Sequence, residues 1–240
     1  MSSMTFEPFS PAHWAAIAFT AAFAAAILGF RRRLAGKSAD RAVRWGLAGV
    51  LAASEVSLYA WYTVTDNWGL YALPFQLCTM TLWLSVAALL TRNARLSEVS
   101  FFLGILGALQ AVLTPNLDET FPNFRYFHFF VAHAAIIGSG VYLAAVQGYR
   151  PTWRSALRAW GWLNVLAVPA AVANAAAGEN FMFLARKPDT ASMLDLLAPW
   201  PWYILQLEII AAGLCLLLAG IVKLTVNRFT IRKETTGYER

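Results

Sequence analysis

The stretch Leu73-Pro74-Phe75-Gln76-Leu77-Cys78-Thr79-Met80-Thr81-Leu82-Trp83-Leu84-Ser85-Val86-Ala87-Ala88-Leu89-Leu90 decides how the chain is read. It carries no charge, and a run of about twenty apolar residues is long enough to cross a bilayer as a helix. Its spacing predicts a helix over 71–90, with Pro74 tolerated in the first turn, where the backbone N–H has no partner to lose. Pro74, Cys78, Thr81 and Ser85 then follow i, i+4, i+7, i+11 spacing and share one face. That face is small and weakly polar, whereas Leu77, Leu82, Trp83 and Leu84 point elsewhere. A thiol on such a stripe is expected to face protein or a cavity rather than lipid.

The rest of the chain repeats the pattern. Of its 240 residues 59% are hydrophobic and 13% charged, against about 25% charged in soluble domains. The apolar residues come in blocks, which marks an integral membrane protein. Seven spans are expected, at about 12–30, 42–64, 71–90, 97–115, 124–147, 155–177 and 200–226. Sixteen of the 19 Lys and Arg residues fall in segments 31–44, 91–96, 148–158 and the tail from Lys223; the alternate connections hold only Arg125, Arg186 and Lys187. Basic residues mark the cytoplasmic side, so the N-terminus is expected outside and the C-terminus inside. The sequence pI of about 9.6 is then a topology signal, and no nucleic acid partner is implied. Arg31, Arg32 and Arg33 follow the first apolar run instead of preceding it, so that run is read as a retained helix. The expected architecture is all-α: a single transmembrane domain over 1–240, a seven-helix bundle, monomeric and multi-pass in a bacterial-type plasma membrane. Gly104, Gly107, Ala108 and Ala111 form a small-residue surface for close helix packing. Pro169 is expected to kink its helix, and a short interfacial helix is expected around Ala191–Leu197. Phe124, Tyr126, Phe127, Phe129 and Phe130 are expected to face lipid and the interface.

The costly side chains fall at one level. Measured from the outer ends at 1.5 Å per residue, Glu55 lies ~14 Å in, Cys78 ~10 Å, Gln110 ~8 Å, His133 ~13 Å and Glu208 ~12 Å. Ionisable groups in a bilayer usually face the bundle interior or a water-filled cavity, so a shared pocket toward the outer leaflet is expected. Plainer readings stand beside this one. A membrane cysteine is often a small buried hydrophobe, a lone histidine an interhelical hydrogen-bond partner, and either glutamate a protonated structural group. Cys215 has no polar neighbours in its turn and is read as inert, and the two cysteines form no disulfide framework. If Cys78 and His133 meet, the imidazole takes the thiol proton and the thiolate attacks an ester carbonyl. Glu55 or Glu208 would orient the imidazole, and Gln76 or Gln110 would donate to the oxyanion. Arg125, Arg186 and Lys187 are candidates for holding a lipid phosphate. A proton-coupled carrier using Glu55, His133 and Glu208 is the alternative.

Several stretches carry a family resemblance: Leu-Pro-Phe-Gln-Leu-Cys (73–78), Leu-Thr-Pro-Asn-Leu (113–117), Phe-Pro-Asn-Phe (121–124), Phe-Phe-Val-Ala-His (129–133), Asn-Phe-Met-Phe-Leu (180–184), Lys-Pro (187–188) and Pro-Trp-Pro-Trp-Tyr (199–203). In this order they resemble the YwaF family of bacterial membrane proteins, related to the eukaryotic transmembrane protein 164 acyltransferases. The resemblance implies an acyltransferase that moves a chain between phospholipids without coenzyme A, through a cysteine and a histidine that map to Cys78 and His133. It implies a phospholipid or lysophospholipid substrate, no cofactor, no metal and no obligate protein partner. Where some relatives are expected to carry Leu-His before the cysteine, this chain has Phe75-Gln76. A related group of lipid hydrolases pairs threonine with histidine, and Thr79, Thr81 and Thr114 lie close in sequence.

Overall fold

The computed structural model describes residues 5–189 and 192–235, with side chains as far as 224. Arg240 in the basic tail and Ala191 at the start of the expected interfacial helix lie outside the described residues. The described residues are helical throughout, with one isolated β-bridge between Thr5 and Glu119.

The helices are α1 (Pro11–Leu34), α2 (Lys37–Val64), α3 (Leu77–Thr91), α4 (Ala94–Val99), α5 (Ile105–Leu113), α6 (Phe124–Ala145), α7 (Trp153–Ala177) and α8 (Trp202–Thr235). A π-helical turn, Ser100–Gly104, joins α4 to α5, so these two make one continuous segment and the described residues hold seven long helical segments. Six of them are long and apolar enough for a bilayer. The exception is α2, whose 28 residues give ample length but whose interior carries Ser54, Glu55 and Ser57. This is a multi-pass membrane protein. The large apolar side chains left exposed on α7 and α8, Val168, Ile209 and Leu217 among them, make a lipid-facing surface of a size unusual in soluble monomers.

Local sequence explains the ends. Ser10 accepts the His13 N–H at 3.4 Å, and Pro11 supplies the first helical position of α1. Thr152 and Ser155 form a reciprocal capping box at the start of α7, and Gly178 ends it in the left-handed region at φ 71°.

The centre of the bundle is α6, with 61% of its apolar window buried against 11% for α8. Its glycines let neighbours approach. A Cβ on Gly138 would come 2.4 Å from the Phe23 ring of α1, and one on Gly140 would come 2.6 Å from Ile105 of α5. Gly104 faces Ile136, and Gly107 faces Leu77 at the start of α3. The small-residue surface read from the sequence is therefore used for packing. The aromatic cluster differs from expectation. Phe124 and Phe127 are exposed, but Tyr126 and Phe130 are buried, because α1 and the N-terminal segment cover them. Tyr126 donates to the Ala12 carbonyl at 2.6 Å, and Phe130 packs on His13 and Phe6.

At the basic end one carboxylate ties three helices. Asp40, in the first turn of α2 and before its apolar run, accepts from Arg44 at 3.1 Å, from Tyr142 of α6 at 2.7 Å, from Gln147 at 3.4 Å and from Arg92 at the end of α3. Arg44 also donates to the Leu89 carbonyl at 2.8 Å. Burial alone would raise the Asp40 carboxyl, but the bonds from Tyr142, Gln147 and Arg44 and the charge of Arg92 outweigh it and hold it below the ordinary carboxylate value. Glu98 of α4 pairs with Arg158 of α7.

Two stability measurements follow. Gly140→Leu overpacks the α5–α6 contact and should lower stability by about 1–3 kcal/mol, read as a lower melting temperature in detergent; an unchanged melt would mean the helices are not in close contact. Asp40→Ala strands the buried Arg44 cation and should cost about 3–5 kcal/mol. Because the folded pKa of Asp40 is depressed, its contribution is complete above the ordinary carboxylate pKa and is lost as pH falls through the folded value. The stability gap between parent and Asp40→Ala should therefore be constant near neutrality and shrink in acid.

Candidate active site

Cys78 does not sit where the helical spacing alone puts it. Leu73 is extended at ψ 144°, as a residue before proline must be, and Gln76 is extended at ψ 141°. The helix therefore starts at Leu77, not at 71, after a separate 3-10 turn at Leu70–Ala72. Cys78 stands second in α3. The first intrahelical bond into this end runs from the Met80 N–H to the Gln76 carbonyl at 3.0 Å. The amides of Leu77, Cys78 and Thr79 belong to the first turn, where N–H groups have no carbonyl one turn back. One consequence follows: these amides are available as donors for an oxyanion.

The polar face further along α3 is buried as expected. Thr81 and Ser85 are 1% and 0% exposed, and Ser85 bonds Ser100 of the π turn at 2.7 Å. Thr81 donates to the Cys78 carbonyl at 3.2 Å and Thr114 to the Gln110 carbonyl at 3.1 Å, so both hydroxyls serve their own helices.

His133 is buried on the face of α6 turned into the bundle. Its Nδ1 lies 2.6 Å from the Phe129 carbonyl. A carbonyl only accepts, so Nδ1 carries the hydrogen and Nε2 presents a lone pair, the form a general base needs. Cys78 and Phe129 both pack against one apolar core that includes Leu51 of α2, Leu82 of α3 and Phe130 of α6, and α3 packs directly on α6. No hydrogen bond joins Cys78 to His133 among the described residues.

The other sequence candidates divide. Glu55 is buried on α2, at 4% exposure, one turn from Tyr59. Gln76 accepts the Met182 N–H at 3.1 Å through Oε1, leaving its amide N–H₂ able to donate. Gln110 is exposed and bonds Thr114 on its own helix at 2.7 Å. The Glu208 carboxylate accepts from Trp160 at 2.7 Å and Asn164 at 3.0 Å, both on α7. Arg125 lies 5.6 Å from the Trp61 ring and 6.0 Å from that of Tyr62. Lys187 donates to the Leu197 carbonyl at 2.7 Å within its own loop, and Arg186 is exposed. Cys215 is buried against Phe101 and Phe102, in keeping with an inert role.

The loop between α7 and α8 clasps the start of α3. Asn174 bonds both backbone groups of Phe181, at 3.0 and 2.6 Å. Phe181 is fully buried against Phe75, with centroids 5.6 Å apart. Met182 and Phe183 are both held in the left-handed region, at φ 56° and 55°, a conformation that costs about 1–3 kcal/mol each outside glycine. Gln76, Asn180 and Tyr203 hold them there. The expected interfacial helix is a 3-10 turn, Met193–Leu196. Beside the clasp, Leu73 and Phe75 face Val168, Pro169, Val172, Ala173, Ala176 and Ala177 of α7 across an open apolar cleft of ≈ 440 Å³.

The sequence reading passed over His128. Its ring stacks on Phe124 at 5.8 Å, and both ring nitrogens are enclosed without a hydrogen-bond partner. The signal was present, since any ionisable residue within a span is a site candidate by default. His13, by contrast, is fully satisfied: the Phe9 N–H donates to Nδ1 at 2.8 Å, and Nε2 lies 2.8 Å from the Val112 carbonyl.

The sequence model of the TMEM164 family matches residues 8–219, from the cap of α1 to the middle of α8. The chain belongs to the TMEM164 family. No curated protein and no solved structure matches it. Family membership spans every element that positions Cys78 and His133, as well as the loop that clasps α3.

Proposed function

We propose that this TMEM164-family protein transfers acyl chains between phospholipids through a thioester on Cys78. The observation that carries the reading is the position of Cys78 in the first turn of α3, with uncommitted amides around it and a neutral imidazole presented by the neighbouring α6. His133 Nε2 takes the thiol proton, and the sulfur attacks the ester carbonyl. The amides at the start of α3 receive the oxyanion, with the Gln76 amide as a further donor. The carbon–oxygen bond then breaks, and His133 returns the proton to the departing lysolipid alcohol. A second alcohol takes the acyl group by the reverse steps; water in its place gives hydrolysis.

The acyl chain lies in the open cleft between Leu73, Phe75 and α7, which borders the extended segment leading to Cys78. Arg125 and the exposed Arg186 are the cations left to meet a phosphate, because Lys187 is engaged with Leu197. Glu55, buried on α2, is the carboxylate available to this end of the bundle. The end bearing Arg31–Arg33, Arg92 and Arg150 is cytoplasmic, in a plasma membrane. The carrier reading would need Glu208 on a path with Glu55 and His133, and its carboxylate is turned to α7 instead.

Purified protein incubated with a chain-labelled phospholipid should acquire label on Cys78. Cys78→Ala should abolish both label and transfer, while Cys215→Ala should leave them unchanged; transfer that survives Cys78→Ala would end the thioester reading. Ala173→Phe, which fills the cleft, should shift preference toward shorter chains at an unchanged melting temperature. An identical chain-length profile would remove the cleft from the substrate path.

A further inference from the structure

Gln76 stands at the N-cap of α3, where a Ser, Thr, Asp or Asn side chain usually folds back onto the helix amides. Its side chain makes no such bond. Oε1 accepts the Met182 N–H at 3.1 Å, from the loop between α7 and α8. A backbone N–H only donates, so the branch that meets it is the carboxamide oxygen, and the planar group turns its N–H₂ away from the loop. The Met182 donor is itself held from both sides. Before it, Asn174 of α7 bonds the N–H and the carbonyl of the buried Phe181. After it, the buried Tyr203 of α8 donates to the Phe183 carbonyl, and the Phe183 N–H donates to the Asn180 carbonyl at 3.2 Å. Met182 sits between these bonds at φ 56° and ψ 16°, a left-handed conformation that a residue with a Cβ adopts only at a cost.

We propose that Met182 is a positioning residue: its backbone N–H, fixed by α7 and α8, holds the Gln76 carboxamide so that the N–H₂ is ready for the oxyanion formed at Cys78. The inference rests on the thioester chemistry proposed for Cys78. A glutamine side chain has more rotamer freedom to lose than most. A donor on it therefore serves a transition state well only if something else has fixed it beforehand. Met182 touches no reacting atom and acts through Gln76 alone. The same tetrahedral oxyanion forms when the sulfur takes the acyl group and, in reverse, when a lysolipid alcohol removes it. The device accordingly serves both half-reactions alike, which a residue devoted to one alcohol could not do.

In the full-length protein, acylation of Cys78 by a chain-labelled phospholipid is followed in a single turnover, and then release of the label to added lysophosphatidylcholine. Gln76→Leu should slow both steps about 10²-fold. Gln76→Glu, which still accepts from Met182 but has no N–H to give, should slow them at least as much. The α-hydroxy analogue of methionine at position 182 turns the amide into an ester, so the N–H is lost and the side chain kept. This ester should slow both steps about tenfold at saturating lipid with KM little changed. In a Gln76→Leu background it should bring no further loss, because the two groups act as one unit. Equal losses from the ester in the two backgrounds would make the bond a fold element and overturn the inference. A parent-like rate in the ester variant or in Gln76→Glu overturns it too. A parent that never labels Cys78 overturns the thioester reading itself, and this positioning role falls with it.

Discussion

The Asp40 carboxylate is the constraint from which the bundle is built. A buried polar side chain away from water must be matched within the protein. Asp40 meets that demand with Arg44 on its own helix, Arg92 closing α3, Tyr142 on the central α6 and Gln147 just beyond it. The ends of three helices are thereby fixed in register. With that end tied, close glycine contacts let α1 and α5 approach α6 along its length. Cys78 and His133 lie toward the opposite end.

The two ends of the molecule thus divide the work. At the basic end, buried carboxylates are paired: Asp40 with Arg44 and Arg92, and Glu98 with Arg158. At the other end the polar groups are presented more than consumed. Cys78 opens α3 with free amides around it, His133 holds its Nδ1 on Phe129 and leaves Nε2, and His128 has neither nitrogen matched. Over these sits a loop whose strained Met182 and Phe183 are held by bonds from Gln76, Asn180 and Tyr203. Strain held by surrounding bonds is a mark of segments that must keep one shape near a site.

Much of the fold was legible because the bilayer imposes a simple rule on sequence. The ends of α2, α5, α6 and α7 fall within a few residues of the expected spans, and the alternation of basic loops matches which connections share an end. The small-residue face at Gly104 and Gly107 and the buried Thr81–Ser85 stripe also follow from composition and spacing. The start of α3 did not, because a hydropathy run does not register that Pro74 holds Leu73 extended and delays the helix to Leu77. The depth rule grouped Gln110 and Glu208 with Cys78 and His133, but their bonds take them elsewhere. Gln110 turns to Thr114 on its own helix, and Glu208 turns to Trp160 and Asn164. Spacing along one helix does not register which neighbours that helix packs against, and those neighbours decide where a polar side chain turns.

The central claim is that His133 activates Cys78 across the contact between α6 and α3. It is tested most directly by the single-turnover rate of Cys78 acylation in the parent and in His133→Ala, with melting temperatures matched. A fall of about 10²–10⁴-fold is expected of a lost general base. An acylation rate equal to the parent's would mean that the imidazole does not serve the sulfur.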